Sequence, residues 1–120
     1  MRIRLFLIIS FPVVVLSQTF TAHTITTSAD YANSVYAVDM DGDGDIDVLS
    51  ASYMDNKIAW YENGNSWAAT SITTSANGAI SVYAVDMDGD GDIDVLSASF
   101  QDDKIAWYEN GNSWAATSIT

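Results

Sequence analysis

The chain has 120 residues and carries 16 acidic side chains against 4 Lys and Arg, a formal charge of −12. Such a surface repels nucleic acid and anionic membranes, so neither is expected as a partner. Cysteine is absent, which excludes a disulfide framework, a thiol nucleophile and a lipid carried on cysteine.

The N-terminus opens with the basic segment 2–4, continues with twelve mostly apolar residues over 5–16, and turns polar at "SQTFTA". This pattern predicts a secretory signal peptide over 1–17, with an end at residue 22 as the alternative. The apolar run is shorter than the roughly 20 residues a helix needs to cross a bilayer, and no second run follows. The expectation is therefore a secreted, extracellular protein without membrane insertion, either free or associated with the cell surface. Removing Arg2 and Arg4 leaves Lys57 and Lys104 against 16 acids, a formal charge of −14. Without disulfides, a small exported domain needs another staple.

From Thr24 onward the sequence repeats with a period of 47 residues and no gap, with 40 identities between 24–70 and 71–117. Residues 118–120 match 71–73 and read as the start of a third copy. Within the first copy, four segments rich in β-branched and aromatic residues, 34–38, 48–52, 57–62 and 66–72, are separated by turn residues and predict four strands. Asn63-Gly64-Asn65 between the last two predicts a tight hairpin, and 53–56, where the copies differ most, predicts an exposed loop. Ile58 and Trp60 point to one side of their strand, Ala59 and Tyr61 to the other, so both faces of the sheet should be covered by neighbours. Four strands per repeat of this length make an all-β fold built of antiparallel four-stranded propeller blades, here two blades plus the start of a third. About seven such blades would need roughly 330 residues, because each blade buries its faces only against others. The expectation is a fragment of a longer reading frame, or short chains that assemble into a ring.

Between the first two strands of each copy lies "DMDGDGDID", at 39–47 and again at 86–94. Five carboxylates on alternate residues repel one another unless a cation gathers them. Calcium takes six to eight oxygens at about 2.3–2.6 Å, and a short loop supplies them only if its backbone curls round the ion. Gly44 and Gly91 allow that bend. The expected ligands are the side chains of Asp39, Asp41, Asp43 and Asp47 with the carbonyl of Asp45, and in the second loop Asp86, Asp88, Asp90 and Asp94 with the carbonyl of Asp92. That gives about one Ca2+ per repeat. An EF-hand would need flanking helices and a Glu at position 12, where these loops have Ser50 and Ser97; dockerin-type loops need the same helices. Magnesium is less suited to an all-protein oxygen cage, and zinc lacks its Cys and His ligands. The bland alternative, a solvated Asp-Gly turn, accounts for one or two such residues, not for five kept in both copies.

The pattern D-x-D-x-D-G-x-x-D between two strands, in a repeat of this length, resembles the FG-GAP/VCBS repeats of integrin-like β-propellers, over about 24–120. The resemblance implies a calcium loop between the first two strands of each blade, and a binding or cell-adhesion module for an extracellular protein or glycan. An alternative is the non-catalytic propeller part of a secreted polysaccharide-active enzyme or lectin. For a lectin, Trp60, Tyr61 and Trp67 and their copies could stack on sugar rings, although blade core is the plainer role. No catalytic constellation is visible: His23 stands alone before the repeats, and Glu62 and Glu109 sit beside a turn, where a solvent-facing charge is ordinary.

Overall fold

The computed structural model describes residues 10–12 and 17–119; most of the predicted leader lies outside them. Eight strands follow in chain order, β1 (Ala32–Val38), β2 (Asp47–Ser52), β3 (Lys57–Glu62), β4 (Ala68–Thr73), β5 (Ala79–Val85), β6 (Asp94–Ser99), β7 (Lys104–Tyr108) and β8 (Ala116–Ser118). They form two sheets, β1-β2-β3-β4 and β5-β6-β7-β8, each a simple antiparallel meander. Among the described residues there is no helix, so the molecule is all-β and built of two propeller-like blades.

The register explains which side chains share a face. Tyr36 pairs with Leu49 and Leu49 with Trp60, while Ala51 pairs with Ile58, which puts these five on one side of the first blade. Val35, Ala37, Val48, Ser50, Ala59 and Tyr61 take the other side. A β-strand alternates its side chains with a period of two, so a nearly unbroken apolar strand is stable only if something covers both sides. The second blade does this for one side. Its Val82, Ala84, Val95, Ala106 and Tyr108, all below 6% exposed, pack against Leu49, Ala51 and Ile58, each 0% exposed, to make the main core. That core lies between the blades, and the Val82 amide donates across it to Ser34 Oγ.

Two local features depart from the sequence reading. The fourth strand starts at Ala68, two residues later than predicted, and the turn before it is not closed at Asn63-Gly64. Ser66 and Trp67 are instead the two consecutive residues with positive φ, 54° and 57°, and the Ala68 amide donates to the Asn65 carbonyl at 3.0 Å. Positive φ at both central residues is the signature of type I′, whose twist matches the strands it joins. The second blade repeats it at Ser113 and Trp114. The Asn-Gly pair is displaced because Asn63 is engaged by the acidic loop.

Both lysines hold the β2–β3 and β6–β7 connections. Lys57 Nζ lies 2.7 Å from Asp55 and donates to the Ser28 carbonyl at 2.9 Å; Lys104 Nζ lies 2.9 Å from Asp102 and donates to the Ser75 carbonyl at 3.4 Å. Partly exposed pairs of this kind contribute at most about 1 kcal/mol, but they locate the segments they touch.

Candidate metal centre

The loops 39–47 and 86–94 join the first two strands of each blade and fold back on themselves by amide-to-carboxylate bonds. Asp39 accepts from the Gly42 amide at 2.8 Å and the Gly44 amide at 3.0 Å; Asp41 accepts from Asp43 at 3.2 Å, and Asp43 from Asp45 at 2.8 Å. The second loop repeats all four, Asp86 with Gly89 and Gly91, Asp88 with Asp90, and Asp90 with Asp92, at 2.7–3.1 Å. Each such bond brings the positive end of an amide to a carboxylate and fixes one oxygen while leaving lone pairs for another partner. Gly44 at φ +96° and Gly91 at φ +101° make the bend, and no atom lies within 4 Å of where a Cβ would sit. The backbone angle, not space, reserves those positions for glycine.

Asp47 and Asp94 behave differently from the other carboxylates. They are 1% and 0% exposed. Asp47 Oδ2 accepts from the Met40 amide at 3.1 Å and Oδ1 from the Asn63 amide at 2.7 Å; Asp94 does the same with Met87 and Asn110 at 3.0 and 2.8 Å. A buried carboxylate is tolerable only when donors surround it, and these two amides tie the two ends of the loop to the β3–β4 or β7–β8 turn. Asn63 Nδ2 donates to the Ile46 carbonyl and Asn110 Nδ2 to the Ile93 carbonyl, both at 3.1 Å, closing the clasp. Asn63 and Asn110 were missed as site residues because Asn-Gly reads as a turn; their only signal was retention in both copies.

Three oxygens gather in each loop. Asp39, Asp41 and Asp43 each place a carboxylate oxygen within 4.8 Å of the others, and so do Asp86, Asp88 and Asp94. Ligands on opposite sides of one calcium are separated by twice the bond length, about 4.6–5.2 Å, so the all-oxygen donor sets fit such an ion in chemistry and in span. The loops do not present identical triads: Asp47 stands outside the first and Asp90 outside the second. Asp45 and Asp92 are exposed, their Oδ2 atoms 3.3 and 3.5 Å from where a Cβ would sit if Gly64 and Gly111 carried one.

The crowding is visible in the titration of two members. Desolvation, then the charges of Asp43, Asp47 and Glu62, raise the Asp41 carboxyl above its ordinary value against the pull of the Asp43 amide. At Asp88 the Asp90 amide pulls downward most strongly, but desolvation with the charges of Asp90, Asp94 and Glu109 outweighs it and the net shift is upward. Glu62 and Glu109 thus act on the loops. They are half-buried and accept from Asn65 Nδ2 at 2.9 Å and Asn112 Nδ2 at 3.1 Å, where the sequence suggested charges facing solvent. A cavity of about 310 Å3 separates the two loops, lined by Asp39, Asp41, Trp60, Asp92 and Asn110 among others.

Residues 39–97 match the family model described as FG-GAP-like repeat. The matched stretch is FG-GAP-like. The match opens at the first aspartate of the first loop and runs through the second loop into β6, so both acidic loops lie within it. FG-GAP repeats commonly bind calcium and form β-propeller-type modules. Among curated proteins and solved structures, none matches this chain.

Proposed function

We propose that this FG-GAP-like chain is an exported, calcium-stabilised β-propeller module that binds an extracellular protein or glycan, with no catalytic role of its own. The observation that carries the calcium assignment is the gathering of three carboxylate oxygens within 4.8 Å in each of two separate loops. Asp39, Asp41, Asp43 and Asp47, with the Asp45 carbonyl, would hold one ion; Asp86, Asp88, Asp90 and Asp94, with the Asp92 carbonyl, the other. The ion would neutralise charge that the amides only partly offset, and would serve as the staple that disulfides provide elsewhere. Export fits the apolar leader and the abundance of calcium outside cells.

Isothermal titration of the purified chain with calcium chloride tests the reading. Two sites per chain are expected, one lost in Asp41→Ala and the other in Asp88→Ala. Absence of calcium binding, together with a melting temperature indifferent to EDTA, would overturn it.

A further inference from the structure

We propose that the chain associates head to tail with a second copy of itself, the outward face of the β5–β8 sheet seating on the outward face of the β1–β4 sheet of the next molecule. The same joint already exists inside the chain. There, the face of the first blade bearing Tyr36, Leu49, Ala51, Ile58 and Trp60 closes on the face of the second bearing Val82, Ala84, Val95, Ala106 and Tyr108. Because the two blades are near-identical in sequence, each also carries the other half of that joint. The second blade displays Leu96, Ala98, Ile105 and Trp107, with Tyr83 beside them and its ring 4.8 Å from that of Tyr36; the first displays Val35, Ala37 and Val48, while Ala59 and Tyr61 of the same face are already buried.

Exposure marks both as seats of the same joint. Val35 is 69% exposed, whereas its copy Val82, inside the joint, is 4% exposed; on the opposite half Tyr83 is 51% exposed and Met87 44%, while Met40, the copy of Met87, is 3% exposed. None of the facing strand residues named is charged, so the chain's acidity does not oppose contact there. The first blade's outward face also holds a cavity of about 320 Å3, lined by Val35, Val48, Ser50 and Tyr61 beneath residues 23–29. Ser50 and Tyr61 are already 3% exposed there, as buried as their copies Ser97 and Tyr108, whereas Val35 and Val48 are not buried and their copies Val82 and Val95 are 4% and 0% exposed.

Residues 23–29 show how the seat is prepared. They lie on the first blade as residues 70–76 lie on the second, since Lys57 reaches the Ser28 carbonyl as Lys104 reaches the Ser75 carbonyl. In the internal joint, residues 70–76 begin in β4, the outer strand of the covering blade, and continue past it. The first blade therefore carries the trailing edge of a cover, without the inner strands that would fill the rest. A contact between two different faces leaves each end of the complex open for another copy, and growth stops only when the rotation closes a ring.

The inference concerns blade packing and does not depend on the metal reading; calcium chloride is kept in the buffer throughout. Protein purified from cells expressing the 120-residue chain, with its subunit mass read by mass spectrometry, is followed by sedimentation velocity over a hundredfold range of concentration. The expected result is a series of integer multiples that lengthens with concentration. Val35→Arg blocks one face and Ala98→Arg the other, so each variant alone should sediment as a single chain, and an equimolar mixture should stop at two chains. Met54→Arg, in an exposed loop away from both faces, should leave the series unchanged. A wild-type chain that stays single at every concentration would overturn the proposal. So would a mixture of the two variants that fails to pair, or association that neither variant alters.

Discussion

The two blades share nearly all their sequence and yet live in different surroundings. Ile58 is 0% exposed and its copy Ile105 46% exposed; Val35 and Val82 reverse the order. The register of the first three strands and the amide-to-carboxylate bonds of the loops are reproduced from one blade to the other, although β8 is only half as long as β4, whereas burial is not. Local structure follows from the residues present, while the energetic weight of a residue follows from which side of the single interior joint it occupies.

The comparison is broken most strongly by truncating one isoleucine at a time. Ile58→Ala should cost about 3–4 kcal/mol in urea unfolding, since it opens a cavity in the joint, and Ile105→Ala about 1 kcal/mol. Equal losses would mean that both faces are equally covered in solution. Calcium should leave that difference unchanged, because it acts on the loops and not on the joint: at a free concentration one hundred times the dissociation constant, each site should add about 2.7 kcal/mol, measured as the unfolding free energy with and without EDTA.

Smaller effects test the clasp and the bend. Asp47→Ala leaves the Met40 and Asn63 amides without their acceptor and should destabilise the chain by about 1–3 kcal/mol; Asp94→Ala should match it within the error of the titration. Gly44→Ala forces a Cβ onto a left-handed backbone and should cost about 1–2 kcal/mol, with Gly91→Ala equal to it, read from the same unfolding curves. The smallest effect concerns pH. Asp41 and Asp88 hold their protons to higher pH in the folded chain than the ordinary 3.8, so their stabilising contribution is complete below that value. It is lost as pH rises through the raised values. The metal-free melting temperature should therefore fall as pH rises above about 4, and the fall should vanish with calcium bound. A metal-free melting temperature that rises over this window would contradict the assigned direction.

Much of this could be read before folding. The 47-residue period, the four strand segments and the acidic loops between the first two of them stand plainly in the sequence, because strand alternation and turn chemistry are local. The β3–β4 turn was misread for a non-local reason. Asn63 looks like half of an Asn-Gly turn until Asp47, sixteen residues earlier, takes its amide and moves the bend to Ser66-Trp67. Glu62 looked like a surface charge until the pairing of strands set it beside Asp41.

By itself, then, the sequence determined the unit: a four-stranded antiparallel sheet with an acidic loop, written twice, since φ preferences, side-chain alternation and the repulsion among neighbouring carboxylates are all settled within a few residues of chain. Only the tertiary structure decided which copy of each residue is core. Two identical surfaces cannot both lie inside a joint between two blades, so packing made Leu49, Ile58 and Val82 the interior and left their copies facing outward.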